Sequence, residues 1–181
     1  MKIAITGAQS TGKTTVLNAL KNWYMFVDSD PITFVDEITR KIKEKGFGIN
    51  EQGDNMTQVY IMNSHLEAIL KKDDIVVMDR CALDGVVYTR WMYNNNMVDE
   101  WVMDYAEKVF QHLIEKYDKI FYIVPEFEIQ DDGVRSTDLQ FRNDIVDLFN
   151  QYIVECDIPV IKLTGSVAER LEQLVEVVNN E

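Results

Sequence analysis

The residues best suited to chemistry stand near the start of the chain, at Gly7–Thr14, whose letters GAQSTGKT fit the pattern G-x-x-x-x-G-K-[ST]. An apolar run, Ile3–Ile5, precedes this stretch, and a run typical of a helix, Thr15–Leu20, follows it. In that setting, glycines let the backbone wrap around phosphate oxygens, and successive N–H groups form an anion nest at the positive end of a helix. The pattern therefore predicts a site for the phosphates of a nucleoside triphosphate.

The residues of this phosphate loop have different expected roles. Lys13 would reach the β- and γ-phosphates, and the Thr14 hydroxyl would bind Mg²⁺. We expect the other contacts to the nucleoside triphosphate to come from the rest of the loop and the first helical residues. These residues are Gly7, Ala8, Gln9, Ser10, Thr11, Gly12 and Thr15.

Strands and helices alternate along the chain, which favours an α/β fold with a parallel sheet. Apolar runs predict five strands, at 2–6, 32–35, 75–79, 119–124 and 159–163. Helices are predicted at about 13–24, 37–45, 55–72, 83–95, 99–116, 137–156 and 167–178. No repeat or linker interrupts this order, so we expect one P-loop NTPase domain over 1–181, with helices flanking the sheet.

Local patterns refine three of these helices. Capping boxes are predicted where a hydroxyl residue precedes Gln or Glu by three positions, at Thr137 with Gln140 and at Ser166 with Glu169. In the helix at 55–72, several residues recur near helical spacing. They are Met56, Val59, Tyr60, Asn63, Leu66 and Leu70.

Ligands of an open parallel sheet gather at the carboxyl ends of its strands, and this rule selects further candidates. The second strand ends at Asp36-Glu37, where a carboxylate could accept the proton of a substrate hydroxyl; Glu37 is the first choice and Asp36 its rival. The third strand ends at Asp79, in the form of a Walker B segment, which predicts a second Mg²⁺ contact or help in orienting the acceptor. Arg80 beside it could bind the substrate.

The irregular segment 125–137 follows the fourth strand, where a lid would close over phosphates. Arg135 in this segment would stabilise charge on the transferring phosphoryl group, with Gly133 as the hinge. Arg142, in the next helix, could assist it, and Arg40, one turn beyond the second strand, could contact the substrate.

Other features carry weaker signals. Gly165, Ser166 and Arg170 follow the fifth strand, where they could line an adenine pocket. We expect His65 and His112 to be structural. The helical aromatic residues are expected to pack in the core, although some could stack on a flat ring. They are Tyr60, Tyr88, Trp91, Tyr93 and Trp101.

Composition limits the partners that this chain can have. The 181 residues carry a net charge of −13, which disfavours nucleic acid and anionic membranes and favours a small substrate in a locally basic cleft. No apolar run approaches the roughly 20 residues that span a bilayer. The chain enters its first strand at once, without a signal peptide, and Cys81 and Cys156 lack metal-ligand spacing, so we expect reduced thiols in the cytoplasm.

Several stretches together resemble a known family. GAQSTGKT, VDEITR, MDRCALDGVVY and DDGVRS, followed by an arginine in the next helix, are similar to the AAA-related, NadR-type P-loop kinases. The ribosylnicotinamide kinase domain of NadR-type proteins is the member that they resemble most, over nearly the whole chain. The resemblance implies phosphorylation of the 5′-hydroxyl of a nucleoside such as nicotinamide riboside. It implies ATP on Gly7–Thr14, Mg²⁺ at Thr14 and Asp79, the acceptor near Glu37, Arg40 and Arg80, and a lid at Arg135.

The acceptor stays open at this point. The segment Asp79-Arg80-Cys81 also resembles a motif of deoxynucleoside and thymidylate kinases, which makes a nucleoside monophosphate the alternative acceptor. An ATP-binding switch protein and a kinase directed at nucleic acid are further alternatives. A GTPase is disfavoured because the chain has no N-K-x-D string, and an AAA+ motor would need a longer chain. A homo-oligomer is also left open.

Overall fold

The computed structural model of the chain describes residues 1–25, 32–36, 38–49, 52–126 and 138–179, apart from the side chains of Arg40 and Asn179. Five strands in these residues form one sheet, in the order β2-β3-β1-β4-β5, and every pairing is parallel. They are β1 (Lys2–Thr6), β2 (Ile32–Val35), β3 (Ile75–Asp79), β4 (Lys119–Ile123) and β5 (Val160–Leu163). The predicted α/β fold is confirmed.

Helices cover both faces of this sheet. Those in the described residues are α1 (Lys13–Tyr24), α2 (Ile38–Glu44), α3 (Asn55–Ile69), α4 (Ala82–Asn94), α5 (Glu100–Leu113), α6 (Leu139–Glu155) and α7 (Val167–Asn179). A short 3₁₀ helix, Ile114–Lys116, extends α5. The predicted helices are thus present, with ends that differ by up to three residues.

Side chains of the central strands point alternately to two apolar layers, as expected for a parallel sheet that is buried on both faces. Ile3 and Ile5 of β1 pack in the layer that α1 and α7 cover. Ala4 of β1 and Met78 of β3 pack in the larger layer beneath α3–α6. The sheet is therefore the middle of three layers.

The strand register brings the candidate residues to one edge of the sheet. Ile5 of β1 pairs with Asp79 of β3, while Thr6 pairs with Tyr122 of β4 on the other side. Because the chain leaves β1 between these two neighbours, the loop after Thr6 lies at the point where the strand order reverses. Open α/β sheets bind their ligands at such a point.

The buried face of α3 differs from the face that its apolar spacing suggested. Met56, Tyr60, Leu66 and Leu70 are exposed, with Met56 60% and Leu70 66% accessible. The residues that α3 buries are instead Thr57, Gln58, Ile61, Met62, His65 and Ala68. Polar side chains on the inward face explain why the apolar pattern was misleading.

The cap of α6 also differs from the prediction. The helix begins at Leu139, and Asp138 caps it by accepting hydrogen bonds from the backbone N–H groups of Gln140 (2.7 Å) and Phe141 (3.1 Å). Thr137 of the predicted capping box lies outside the described residues, and the carboxylate one position later satisfies these amides. The box of Ser166 and Glu169 is confirmed, since the backbone N–H of Ser166 donates to Glu169 Oε2 at 2.7 Å and Glu169 N–H donates to Ser166 Oγ at 3.4 Å.

Candidate active site

The phosphate loop follows β1 and turns through backbone angles that favour glycine. Gly7 has φ 139° and Gly12 has φ 91°, and Ser10 also lies in the left-handed region at φ 57°. A Cβ atom on Gly7 would lie 2.8 Å from the carbonyl oxygen of Ile123 in β4. The tight fit against β4 and the positive φ angles explain both glycines of the motif.

Lys13 and Thr14 begin α1 directly after this turn. The Lys13 ammonium is buried and donates to the carbonyl oxygens of Gly7 (2.6 Å) and Ala8 (2.5 Å), across the mouth of the loop. The predicted lysine is therefore held at the nest itself. Thr15, one residue further along α1, is exposed.

Thr14 joins the phosphate loop to the end of β3. Its hydroxyl donates to Asp79 Oδ2 at 3.1 Å, and Asp79 is 1% exposed. A hydroxyl and a carboxylate oxygen are hard ligands, and Mg²⁺ commonly uses one or two such protein groups together with substrate phosphates. These two residues fit the predicted ion, even though the described part of the chain holds no group of three or more His, Cys, Asp or Glu side chains suited to a metal.

Asp84, at the start of α4, connects three parts of the site. Its Oδ2 accepts hydrogen bonds from the Thr6 hydroxyl (2.7 Å) and the Cys81 backbone N–H (2.9 Å). Its Oδ1 accepts from Arg80 Nη1 at 3.0 Å. Since Thr6 ends β1 and Arg80 follows β3, this buried carboxylate fixes the first turn of α4 against the edge of the sheet that carries the phosphate loop.

Arg80 has a constrained geometry. Its φ is 81°, in the left-handed region, and its N–H donates to the Ile5 carbonyl at 3.0 Å. Its guanidinium carbon lies 5.5 Å from the centre of the Tyr88 ring, a cation–π distance. The side chain is 6% exposed, so its direction is set by these neighbours.

A pocket opens beside these residues, between α2, α3, α4 and α6. The empty space in it is about 530 Å³, including the part that is open to solvent. Apolar and aromatic side chains form most of its wall, and five polar or charged residues also face it: Thr39, Gln58, His65, Arg80 and Asp84. The residues around it are Ile38, Thr39, Ile49, Gln58, Ile61, His65, Arg80, Asp84, Gly85, Tyr88, Trp91, Met92 and Phe141.

Aromatic rings make one wall of the pocket rigid. The Trp91 and Phe141 rings meet edge to face at 4.5 Å between centroids, and Tyr88 and Phe141 meet at 6.0 Å. The Trp91 Nε1–H donates to Asp144 of α6 at 3.0 Å, which fixes the indole. Such a wall suits a flat ring.

The opposite wall comes from α3, which approaches α4 closely at Gly85. A Cβ atom there would overlap Met62 Sδ and lie 3.3 Å from His65 Cδ2. His65 is 2% exposed, and burial lowers the pKa of its imidazole to about 4, so the ring is neutral near pH 7. Beside it, the Gln58 side-chain oxygen accepts from the Thr89 hydroxyl at 3.1 Å.

Arg170 supports the phosphate loop from below. This fully buried side chain of α7 donates to the Thr11 carbonyl at 2.8 Å and to Glu126 Oε2 at 2.6 Å. The same carboxylate oxygen of Glu126 accepts the Gly165 N–H at 2.8 Å, and these bonds lower the pKa of Glu126. Arg170 was predicted near adenine, yet the groups that it contacts are the loop backbone and the start of the predicted lid.

Comparisons with known proteins agree with this architecture. A family model described as AAA domain matches residues 2–170. The chain belongs to the AAA domain family. No curated protein matches it in sequence.

Solved structures share the fold of this AAA-domain chain. A NadR protein in complex with NR matches with a TM-score of 0.73 and 21% identity over 98% of this chain, and a NadR protein in complex with NAD and AMP-PNP matches with 0.70 and 18%. The chain covers 50% and 48% of those two chains, so it spans about half of their length. A deoxyadenosine kinase from M. mycoides with dCMP and dCDP matches with 0.69 and 16%, over 99% of both chains. The predicted likeness to NadR is therefore found in the fold.

The AAA-domain fold brings only some of the predicted substrate residues to the pocket. Asp36 forms an ion pair with Lys21 of α1 and is exposed. Arg142 is 7% exposed on α6, and burial lowers the pKa of its guanidinium. Glu37, Arg135 and most of the predicted lid lie outside the described residues, as does the side chain of Arg40.

Sequence reasoning about this AAA-domain chain did not select Asp84 and Gln58. Asp84 stands one helical turn after Arg80, so an i, i+4 pairing was the available signal. Gln58 had no such signal, because only the packing of α3 on α4 brings it to the pocket. Of the aromatic residues, Tyr88 and Trp91 line the pocket, while Trp101 is 52% exposed.

Proposed function

We propose that this protein is an ATP-dependent kinase that transfers the γ-phosphoryl group to a hydroxyl of a nucleoside-type acceptor. One observation carries the proposal: the phosphate loop and an aromatic pocket adjoin each other. Asp79 bonds to Thr14 of the loop and precedes Arg80 of the pocket, while Thr6, just before the loop, bonds to Asp84 of the pocket. A phosphoryl donor and an acceptor bound at these two places would meet, which is the main requirement of phosphoryl transfer.

The loop would hold the donor in the following way. Backbone N–H groups of Gly7–Thr14 bind the phosphate oxygens, and the Lys13 ammonium exchanges its two carbonyl contacts for the β- and γ-phosphates. Thr14 and Asp79 would hold Mg²⁺, which would neutralise part of the negative charge of the phosphates. No rearrangement of the sheet is needed, because all of these groups already lie at one edge.

The pocket would hold the acceptor. Its base stacks on the wall of Tyr88, Trp91 and Phe141, and the polar groups of Gln58 and His65 lie where ring substituents could bond to them. The Asp84 carboxylate at 3.0 Å from Arg80 offsets part of the guanidinium charge. That pairing favours a neutral hydroxyl over a phosphate next to Arg80, and so favours a nucleoside over a nucleoside monophosphate.

Glu37 is proposed as the base that accepts the hydroxyl proton. Ile38 and Thr39, which follow it directly, line the pocket. Its rival Asp36 is engaged with Lys21. Arg135 is proposed to stabilise the transferring group, with Arg40 and Arg142 as substrate contacts.

Nicotinamide riboside is the best candidate for the acceptor, because the fold matches NadR and a solved NadR structure contains NR. The deoxyadenosine kinase, whose structure contains dCMP and dCDP, supports a deoxynucleoside or its monophosphate as the second candidate. We also propose a cytoplasmic location, which the two cysteines, both free thiols, support. In the described residues no helix is long and apolar enough to cross a membrane.

An acceptor panel tests the proposal. Purified protein with ATP and Mg²⁺ is given nicotinamide riboside, thymidine, deoxyadenosine or dTMP, and phosphorylated product is measured by mass spectrometry. We expect nicotinamide riboside to be phosphorylated fastest. Turnover of dTMP alone would replace the nucleoside by a monophosphate, and ATP hydrolysis that no acceptor changes would contradict a kinase.

A further inference from the structure

Gln9, the third residue of the phosphate loop, has a side chain that leaves the loop toward the acceptor pocket. Its Oε1 accepts a hydrogen bond from the Tyr88 hydroxyl at 3.0 Å. Tyr88 belongs to the pocket wall and lies beneath Arg80. This contact joins the two halves of the site directly, through side chains.

The nitrogen of the same amide has no such contact among the described residues. Gln9 is 2% exposed, and its Nε2 is buried without a hydrogen-bond partner among the described residues. A buried amide nitrogen normally donates to some oxygen, and an unsatisfied one in a native protein calls for a reason. A reason that fits a loop at a binding site is a ligand oxygen that arrives with the substrate.

The surroundings indicate which substrate supplies that oxygen. Phosphates of the nucleotide are met by the backbone amides of the loop and by Lys13, which lies on the loop's own carbonyls. The Gln9 amide oxygen is bonded to Tyr88 instead. The amide nitrogen is attached to the same side-chain carbon, Cδ, as this oxygen. The nitrogen is therefore held beside the acceptor wall.

We propose that Gln9 Nε2 donates a hydrogen bond to a hydroxyl oxygen of the acceptor and so positions the acceptor against the phosphate loop, while Tyr88 fixes the orientation of the amide. This inference rests on the proposed kinase function. It gives Gln9 two separate tasks, because its backbone belongs to the donor site and its side chain to the acceptor site. No bond of the side chain forms or breaks in the reaction.

The test compares Gln9→Met, which keeps the length of the side chain without its polar atoms, with Gln111→Met on the exposed surface of α5. The fastest acceptor of the panel is used, and KM for acceptor, kcat and Kd for AMP-PNP are measured. We expect KM for the acceptor to rise about tenfold in Gln9→Met, the effect of one lost hydrogen bond, with AMP-PNP affinity within about twofold of the parent. Gln111→Met should match the parent in all three.

Tyr88→Phe provides a second variant that leaves the loop sequence untouched. It should raise KM for the acceptor in the same direction, and the double variant should be less than additive because both changes act on one contact. Thermal stability separates a structural role: Gln9→Met removes an unsatisfied buried donor but also the acceptor of the Tyr88 hydroxyl, so the two effects oppose each other and the melting temperature should change little.

Different results would overturn the role of Gln9 and the kinase proposal. An unchanged acceptor KM in both variants, or a loss confined to AMP-PNP binding, would overturn the role of Gln9 while leaving the kinase proposal intact. A parent protein that phosphorylates no acceptor of the panel would overturn the kinase proposal and this inference with it.

Discussion

Hydrogen bonds of single side chains connect the ends of β1 and β3 to the helices of the site. Asp84 joins Thr6, Arg80 and Cys81 through hydrogen bonds of 2.7–3.0 Å, and Thr14 joins Asp79 at 3.1 Å. Each bond links groups that are distant along the chain or fixes a turn between them. The consequence is a set of charges held in place before any substrate binds, which is how a preorganised site lowers a barrier.

Lys13→Ala should abolish phosphoryl transfer while the fold is retained. The ammonium lies across the loop, on the carbonyls of Gly7 and Ala8, so its removal takes away a positive charge at the mouth of the loop. We expect kcat with ATP to fall at least about 100-fold, the usual cost of losing a charge-stabilising donor. Circular dichroism checks the fold, and Lys108→Ala on the exposed face of α5 is the control; retained activity would refute the loop's assigned role.

His65 should make stability depend on pH. The unfolded imidazole titrates near 6.5, and burial lowers its folded pKa to about 4. Between these values the unfolded chain binds a proton that the folded chain does not, so stability is full above about pH 6.5 and falls as the pH falls toward 4. The full loss from this group is about 3 kcal/mol.

The measurement is urea unfolding of the parent and of His65→Gln at pH 7.5, 6.0 and 5.0. The free energy of unfolding of the parent should decline more steeply than that of the variant across this range. His112→Gln, at an exposed position of α5, should behave as the parent. Parallel curves for the parent and His65→Gln would contradict a neutral buried imidazole.

At the scale of elements, the packing of α3 on α4 forms the pocket. Gly85 allows this approach, since a Cβ atom there would overlap Met62 Sδ. The inward face of α3 carries Gln58 and His65, so this helix buries polar groups at the pocket in place of apolar side chains. Such exchanges are common where a local rule is broken for a functional site.

Gly85→Ala should therefore lower stability and acceptor binding together. Alanine is the better residue in a free helix by roughly 1 kcal/mol, but overpacking against Met62 should cost about 1–3 kcal/mol. Urea unfolding measures the balance. The double variant with Met62→Ala should recover part of the loss, and a Gly85→Ala protein more stable than the parent would show that the two helices separate easily.

At the scale of the whole molecule, the last helix, α7, contacts the phosphate loop near the start of the chain. Arg170 of α7 reaches Thr11 near the other end of the chain and also Glu126, where the predicted lid begins. The planar guanidinium uses two separate nitrogens for these contacts, Nη1 for the Thr11 carbonyl and Nη2 for the Glu126 carboxylate. The position of the phosphate loop is thereby tied to the docking of α7 on α1.

Arg170→Met should weaken both stability and nucleotide binding. The Thr11 carbonyl and the Glu126 carboxylate lose a charged donor, and the buried bond to the Thr11 carbonyl contributes about 1.5–3 kcal/mol. We expect a lower melting temperature and a higher Kd for AMP-PNP, with Arg170→Lys between the two. Glu172→Gln, an exposed change on the same helix, should leave both values unaltered. An Arg170→Met protein with both values unaltered would show that the contacts of Arg170 to Thr11 and Glu126 do not support the loop.

The sequence by itself determined the phosphate loop, the parallel sheet and the strand-end residues Asp79 and Arg80, because these depend on local patterns. Glycine angles, apolar runs and helix caps act over a few residues, and they are visible in the letters. Where two local patterns compete, the sequence predicts the structure less well: Asp138 caps α6, one position beyond the predicted Thr137.

Only the tertiary structure decided which face of α3 is buried, how Asp84 ties Thr6 to Arg80, and that Arg170 reaches Thr11 and Gln9 reaches Tyr88. These contacts join residues up to 159 positions apart, and their partners follow from the strand order and helix packing. The pocket beside the phosphate loop is likewise a property of four packed helices, which no single stretch of sequence contains.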